Sequence, residues 1–262
     1  MLKENQSTDA LVRFENLFYP EVKEKLFLVK NRMGIPSKTG GYYLNGARYI
    51  ACVDCDTKQL HKQSGTIRWM YKFKLFHKQE FSRLDIYRVQ VRENRNNPRD
   101  NMIVKILGKA DDQKLNTIRE EYLTPVVENT EFGTFELDRD YDEYKGVINF
   151  CNQEIPVILS VEEGETDIAV QLQHLKQIVL NQEKFDAMVR QYIANDETLW
   201  DWLEDSDTPR EGFEKKLTEP TLSIDSEGKK EMWFDGGDPF GGHSIVVSVD
   251  QNNTCTGIDL VG

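Results

Sequence analysis

Apolar and polar residues alternate along much of the chain, and this pattern predicts a fold rich in β-strands. In the N-terminal half the strand patterns cover residues 42–44, 47–53, 66–76 and 85–92, and the last alternates without interruption. Residues 103–107 are predicted to be a further strand or a short helix. Residues 8–31 have apolar side chains at helical spacing, so we expect helix there. A second helix is expected over residues 115–122. This half is therefore predicted to be a small antiparallel sheet or partial β-barrel with flanking helices.

The C-terminal half alternates in the same way but surrounds a helical region. Strands are predicted at residues 132–138, 146–151 and 155–161, with a tight turn at Asn152 and Gln153. Helical periodicity runs over residues 169–203 and 207–217. Four further strands follow: Thr221–Ile224, Glu231–Asp235, Ser244–Val249 and Thr256–Leu260. The order of strands, helices and strands indicates an α+β fold with an antiparallel sheet, and argues against a Rossmann or TIM fold.

Two domains are predicted, with a boundary between Pro125 and Glu131. Pro125 disfavours helix in the residue before it, and a strand pattern follows. The chain has 23 Lys+Arg and 16 Asp+Glu up to Thr130, but 10 and 29 from Glu131 onward. We therefore expect a basic, β-rich domain with an N-terminal helix over residues 1–125 and an acidic α+β domain over 131–262, each an antiparallel sheet with flanking helices.

Composition narrows the class of protein. Apolar residues make up 39% and charged residues 30%, which supports a packed core. No stretch approaches the roughly 18–20 apolar residues that span a bilayer, and no secretory signal follows Met1. The 4 cysteines of this 262-residue chain do not form a disulfide framework. We therefore expect a cytoplasmic protein that does not associate with membranes.

The charge asymmetry has two interpretations. The formal net charge is −12, and the acidic half should repel polyanions and attract a basic protein. The alternative is that the two halves attract each other, because surfaces between domains of one chain are often polar.

The N-terminal half contains two candidate features. Cys52 and Cys55 form a Cys-x-x-Cys with His61 nearby, but a zinc site needs about four ligands and a redox pair normally opens a helix. Structural cysteines are favoured, and the reactivity of the pair stays open. Residues 58–99 combine 11 Lys+Arg with aromatic residues, as single-stranded nucleic-acid binders do. The alternative is a sheet whose aromatic residues face the core while Lys and Arg face water.

The C-terminal half contains a candidate loop. Asp235, Asp238 and His243 could form a cation or general-base site, and Phe240 lies in the same loop. The glycines and the proline around them are equally typical of a turn between two strands. The sequence assigns no catalytic residue, no metal ligand and no cofactor.

A second candidate is an aromatic and acidic segment that could bind a partner. Aromatic anchors surrounded by charge can mark a protein interface. The segment consists of Trp200, Trp202, Glu204, Asp205 and Asp207. The alternative is that at least one tryptophan belongs to the core.

Several strings in the C-terminal half resemble a known family. Glu131-Phe-Gly-Thr-Phe-Glu-Leu-Asp-Arg, Leu199-Trp-x-Trp and Phe234-Asp-x-x-Asp-Pro-Phe-Gly-Gly-His-Ser-Ile are similar to the bacterial domain of unknown function twenty-two sixty-two, over residues 131–262. The N-terminal half, with Asp54-x-Asp-Thr-Lys, resembles the uncharacterised domain that often precedes it. The resemblance implies a bacterial origin, this two-domain layout and no established activity. Immunity proteins of bacterial toxin systems are similar small acidic α+β proteins, by analogy alone.

Three functions remain open. The favoured one is a non-catalytic protein-interaction module whose acidic domain binds an unknown basic protein, in the manner of an immunity protein. The first alternative is single-stranded nucleic-acid binding by the basic, aromatic N-terminal domain. The second is a cation-dependent hydrolase at Asp235, Asp238 and His243.

Overall fold

The structure is a computed structural model that describes residues 10–34, 37–72, 81–202 and 212–262. It divides into two compact units, Met1–Thr124 and Pro125–Gly262. Each unit is built on one β-sheet with helices beside it, which confirms the predicted α+β class.

The N-terminal sheet closes into a barrel of five strands. Its order is β1-β6-β7-β5-β3, and β3 pairs with β1 to close the ring; β2 and β4 are attached to β3. All pairs in the barrel are antiparallel except β5–β7, which is parallel. Because β3 pairs with β1, the barrel is closed, whereas the sequence predicted a partial barrel. The elements are β1 Lys23–Arg32, β2 Ser37–Thr39, β3 Tyr42–Asp54, β4 Leu60–His61, β5 Gly65–Tyr71, β6 Ile86–Glu93, β7 Asp100–Lys109 and helix α1 Gln113–Leu123.

The helix predicted over residues 8–31 is wrong for most of its length. Among the described residues only 10–15 are helical, and β1 occupies the second half of the segment. Phe27 and Val29 fill the barrel interior, while Leu28 packs outside with Leu115 of α1. A strand buried on both faces shows a continuous apolar run, which periodicity alone cannot distinguish from helix.

The barrel also holds a buried cation. The Lys25 side chain is 6% exposed, and its Nζ lies 2.5 Å from Oε1 of Glu93; Nζ of Lys23 lies 2.7 Å from the other oxygen. Burial by itself raises the pKa of Glu93, but hydrogen bonds from the two lysines hold that pKa below its usual value. The carboxylate therefore compensates a lysine that water does not reach.

The C-terminal sheet is open and has eight strands in the order β15-β14-β13-β12-β11-β10-β9-β8. The pair β11–β12 is parallel, and the helices lie in the long crossover that such a pair requires. The strands are β8 Val127–Thr130, β9 Gly133–Asp138, β10 Glu143–Phe150, β11 Gln153–Ser160, β12 Thr218–Ile224, β13 Lys230–Asp235, β14 Ser244–Val249 and β15 Cys255–Val261. The helices are α2 Ala169–Leu180, α3 Gln182–Asn195 and α4 Glu197–Asp201.

The helices cover one face of the C-terminal sheet. Alternate side chains of the strands form the core with apolar residues of α2, α3 and α4. The tight turn between β10 and β11 is centred on Cys151 and Asn152, both with positive φ (49° and 65°), one residue before the predicted position. No helix in the described part of the chain has the length and apolar character needed to cross a membrane.

Candidate functional site

The loop of Asp235, Asp238 and His243 is a tight connection between β13 and β14. The Gly236 N–H donates to the His243 carbonyl at 3.1 Å, and the Gly237 N–H donates to Oδ1 of Asp235 at 2.9 Å. The side chains of Asp235, Asp238 and His243 are exposed. Among the described residues, no group of three or more His, Cys, Asp or Glu side chains could hold a metal ion. The hydrogen bonds of this loop thus stabilise the conformation of the loop itself.

Phe240 and Trp200 meet in one aromatic cluster of the core. Both are buried, and both contact Phe213: its ring centroid lies 5.2 Å from that of Trp200 and 5.6 Å from that of Phe240, edge to face. The Trp200 indole donates to the Ala194 carbonyl at 3.2 Å. These two candidates therefore stabilise the fold and offer little surface to a partner.

Trp202 has the opposite environment. Its side chain is 74% exposed, although it lies only two residues beyond Trp200. Helix α4 directs the Trp200 indole into the core, whereas Trp202, directly after the end of α4, is exposed to solvent. The acidic candidates Glu204, Asp205 and Asp207 lie outside the described residues. Trp202 is thus the described member of this segment that a partner can reach.

The two cysteines of the Cys-x-x-Cys have different environments. Cys52 is buried in the barrel and Cys55 is partly buried. Burial raises the pKa of the Cys52 thiol to about 11 and also raises that of Cys55. A thiol with a raised pKa is a poor nucleophile near neutral pH, which supports a structural role. His61 lies opposite Cys52 in the pairing of β3 with β4.

The aromatic residues of the basic stretch face the barrel interior where the structure describes them. Trp69, Tyr71, Phe81 and Tyr87 are all buried. Phe73 and Phe76 lie outside the described residues. Trp69 and Tyr71 therefore lie on the interior side of their strand and Arg68 on its outer side. This agrees with the interpretation in which the aromatic residues face the core while Lys and Arg face water.

The outer surface of β3 and β5, which are the second and third barrel strands in chain order, is also covered. Small five-stranded barrels of the oligonucleotide-binding type use this surface for their ligands. Here Phe14 and Phe18 pack on it, together with Met102. Their rings lie 5.9 and 6.0 Å from the Arg68 guanidinium, which is paired with Asp100. A nucleic-acid strand would have to displace this segment.

The C-terminal sheet has a second face, turned away from α2, α3 and α4. The alternation of β9–β11 and β13–β15 places one set of side chains there. The described charged residues of this set are seven carboxylates and one ammonium: Glu136, Asp138, Glu143, Glu154, Glu231, Asp235, Asp259 and Lys145. We call these eight residues the acidic face.

Most carboxylates of the acidic face form no ion pair with the described lysines and arginines. Lys145 lies 2.8 Å from Asp138 and 3.8 Å from Glu143, and its hydrogen bond lowers the pKa of Asp138. Within the described part of the chain, no Lys or Arg forms an ion pair with the other five carboxylates. The Trp233 indole donates to Oε2 of Glu231 at 3.1 Å. Uncompensated like charges on one surface create a negative potential that attracts cations.

Two families match the chain. The one described as "Uncharacterized protein conserved in bacteria (DUF2262)" matches residues 129–260, which is about half of the chain. The chain belongs to this family. A second one, described as "Domain of unknown function (DUF7021)", matches residues 11–122. Both predicted resemblances are thereby confirmed. No curated protein matches the chain.

The acidic face of the DUF2262 region escaped the sequence analysis, which considered contiguous strings. Its members are separated in the chain and come together only through strand pairing. A signal was nevertheless present: Glu136 and Asp138 flank Leu137, and Glu231 and Asp235 occupy alternate positions of one strand. Collecting the polar positions of all predicted strands would have found the face.

A groove of about 510 Å³ crosses one end of the outer face of the DUF2262 sheet. The hydroxyls of Ser160, Ser223, Ser248 and Thr256 line it around Glu231. Asp225, Asp250, Lys229 and Lys230 also line it. Short serine side chains on the neighbouring strands leave the Glu231 carboxylate accessible, so a long side chain of a partner has room beside it.

Proposed function

We propose that this protein is a non-catalytic interaction module that binds a basic protein through the acidic face of its C-terminal domain, residues 131–262. The observation that carries the proposal is the accumulation of seven carboxylates against one ammonium on a single sheet face. Cationic side chains of a partner would supply the missing counter-charges. In the manner of an immunity protein, the module would occupy a basic surface of that partner.

The shape of the face supports a protein as the ligand. Eight strands form a broad surface, and the 510 Å³ groove occupies only one end of it. Apolar and aromatic side chains lie among the charges: Val147 is 53% exposed, Tyr141 in the β9–β10 turn is 70% exposed and Trp233 is half-buried. Protein interfaces combine such residues with a polar rim. A polyanion would be repelled by the same surface.

The charge of the face predicts how binding should depend on salt. Complementary charges accelerate association, and salt screens them over about 8–10 Å at physiological ionic strength. We therefore expect the association rate to fall as salt rises. We place the interaction in the cytoplasm, because the free cysteines fit a reducing compartment.

The two alternative functions have less support. The described aromatic residues of the basic stretch are buried, and Phe14 and Phe18 cover the outer surface of the barrel strands that would face a nucleic acid. The loop of Asp235, Asp238 and His243 directs its hydrogen bonds to its own backbone. We therefore retain protein binding as the proposed function.

The test is capture of a partner by the tagged full chain from a lysate of the organism that encodes it. Wild type is compared with two variants, each lacking four carboxylates. The face variant carries Glu154→Gln, Glu231→Gln, Asp235→Asn and Asp259→Asn. The crossover variant carries Glu163→Gln, Glu165→Gln, Glu183→Gln and Glu197→Gln, which lie between β11 and β12. The two variants have the same net charge.

The expected result is a basic protein that wild type and the crossover variant retain and the face variant loses. The purified partner should then bind wild type at a rate that falls with added salt. A partner retained equally by all three proteins would contradict the proposal, as would capture of none.

A further inference from the structure

The open sheet ends in a long edge strand, β15. In the described residues, β14 is the strand paired with β15, and no strand lies on its other side. β15 has seven residues, whereas β8 at the opposite edge has four. Natural sheets protect their edges with short strands, lysine, proline or bulges. β15 has a bulge only near Thr256 and contains neither lysine nor proline.

The hydrogen-bond alternation of β14 can be read from the turn before it. The Gly236 N–H donates to the His243 carbonyl, so this pair is of the hydrogen-bonded type. Such pairs alternate with non-bonded ones along an antiparallel ladder. Ile245, Val247 and Val249, at every second position after His243, therefore direct their backbone groups to β13. Val246, three residues after His243, directs its N–H and C=O to β15.

The same alternation identifies the free backbone groups of β15. Asp259 is the register partner of Val246, so its N–H and C=O are used in the pair with β14. The N–H and C=O of Ile258 and Leu260 consequently point away from the sheet. Their side chains pack on the core side, whereas the Asp259 side chain lies on the acidic face.

The turn before β15 holds the strand in place. Nζ of the buried Lys230 donates to the carbonyls of Asp250 and Gln251 at 3.0 and 3.1 Å. The Asp250 carboxylate accepts the N–H groups of Asn252 and Thr254 at 2.9 and 2.8 Å. A strand fixed in this way loses little further entropy when a ligand pairs with it.

We propose that β15 pairs with an extended segment of the basic partner, which adds a ninth strand to the sheet. This inference rests on the proposed function, because the partner's charge is argued from the acidic face. Main-chain hydrogen bonds to Ile258 and Leu260 would hold the segment, as in other cases of strand addition. A Lys or Arg of the segment would lie opposite Asp259, since opposite charges across neighbouring strands are favourable.

The inner side of the added strand would be apolar. It would continue the layer of Ile258 and Leu260, and helix α4, which contacts β15, lies beside that layer. Trp202 directly follows α4 and is 74% exposed. A second copy of the chain fits less well, because two β15 strands side by side would bring Asp259 of each near the other's acidic face.

The experiment selects random peptides displayed on phage against the immobilised full chain. We expect enrichment of peptides in which Lys or Arg alternates with apolar residues. A synthetic copy of one enriched peptide is then measured against Leu260→Pro and Leu260→Ala. Proline removes the free N–H without removing a bond to β14, and both variants lose the leucine side chain. We expect about tenfold or more weaker binding by the proline variant than by the alanine variant.

Amide hydrogen exchange gives a readout that does not depend on these variants. Binding of the peptide to wild type should slow exchange in residues 255–262. Asp259→Lys, which keeps the backbone of the edge intact, should weaken binding of the basic peptide. Equal affinity for the proline and alanine variants, no change of exchange in β15, or selection of no such peptide would overturn the inference. A wild-type dimer dissociated by Leu260→Pro would overturn it in favour of a second copy.

The two proposals fail in different ways. If a captured partner is lost by the face variant but retained by Leu260→Pro, the acidic face binds it and the edge does not. If the alternating peptide binds β15 but no protein is captured from the lysate, the edge is competent and the proposed function is wrong.

Discussion

The two sheets of this protein differ in whether their edge strands are paired. The N-terminal strands close on themselves, so the five barrel strands have no free edge, and their inner side chains fill the interior. The C-terminal strands stay open, with one face under helices and the other in water. Closure uses up backbone donors and acceptors, whereas an open sheet keeps both a face and an edge available. For this reason we propose the C-terminal unit, and not the barrel, as the one that binds a partner.

Charges follow the same division. In the N-terminal unit many basic residues have carboxylate partners: Lys25 and Lys23 with Glu93, Arg68 with Asp100, Arg88 with Glu24 and Lys109 with Asp85. On the acidic face, five of the seven carboxylates have no such partner among the described residues. Many basic residues of the N-terminal unit are therefore already paired within the fold. The carboxylates of the acidic face that form no ion pair are the stronger indication of a charged binding surface.

Removing the carboxylate that pairs with the buried Lys25 should have one of the two largest effects on stability. Glu93→Ala removes the carboxylate that forms the ion pair with Lys25, whose side chain is 6% exposed. We expect the free energy of unfolding to fall by about 3–5 kcal/mol, because an unpaired buried charge is costly. Chemical denaturation measures it. The double variant Lys25→Met with Glu93→Gln should regain much of the loss; if the single variant costs less than about 1 kcal/mol, the ion pair is not buried as described.

The two tryptophans test the division of the open unit into core and surface. Trp200→Ala should lower the free energy of unfolding by about 3–5 kcal/mol, because the side chain is buried between Ala194 and Phe213. Trp202→Ala should change it by no more than about 0.5 kcal/mol, because the indole is 74% exposed. Equal effects of the two variants in denaturant would contradict this assignment.

The sequence predicted those strands in which the alternation of apolar and polar residues matches the alternation of buried and exposed side chains. The strands at Glu231–Asp235 and Ser244–Val249 have one buried and one exposed side, so their alternation is visible in the residues themselves. β1 is buried on both sides, and its continuous apolar run resembles a helix as much as a strand. Closure of the barrel through the pair β1–β3 depends on residues far apart in the chain, and no local pattern reports it.

The candidate site was harder to predict than the fold. The candidate strings contained one exposed and one buried tryptophan, and nothing in Leu199-Trp-Asp-Trp says which side of the helix faces the core. The acidic face could be found only from the strand order, because β13 is joined to β11 through β12, and the crossover before β12 contains α2, α3 and α4. The charge balance distinguished the acidic C-terminal half of the chain but did not identify the surface on which the carboxylates gather.

Acid should destabilise the ion-paired barrel in a defined pH range. The pKa of Glu93 is lowered in the folded protein, so its ion pair contributes stability above the ordinary value of 4.5, and this contribution is lost as the pH falls through the lowered pKa. We expect the wild-type free energy of unfolding to decline below about pH 4.5, and Glu93→Gln to decline less steeply. Denaturation at several pH values measures both slopes. Asp259→Asn is the control, and its free energy of unfolding should fall with pH as steeply as that of wild type. If it falls only as gently as that of Glu93→Gln, the acid sensitivity does not come from the ion pair in the barrel.

The smallest effect on stability is expected from the face variant of Glu154, Glu231, Asp235 and Asp259. These carboxylates form no ion pairs in the described part of the chain, and removing like charges relieves repulsion. The free energy of unfolding should stay within about 0.5 kcal/mol of wild type or rise slightly, as surface substitutions do. The crossover variant serves as the control of equal net charge in the binding measurement. Thermal and denaturant unfolding of the three proteins decides the matter.

This result determines how the loss of partner binding is to be understood. If the face variant is as stable as wild type and yet loses the partner, the carboxylates serve recognition and not the sheet. A loss of more than about 1 kcal/mol would instead show that they hold the open sheet together. The closed barrel would then no longer differ from the open sheet in how it uses charge, because in both units carboxylates would stabilise the fold. Similar stability with different binding is therefore the outcome that separates the two units most clearly.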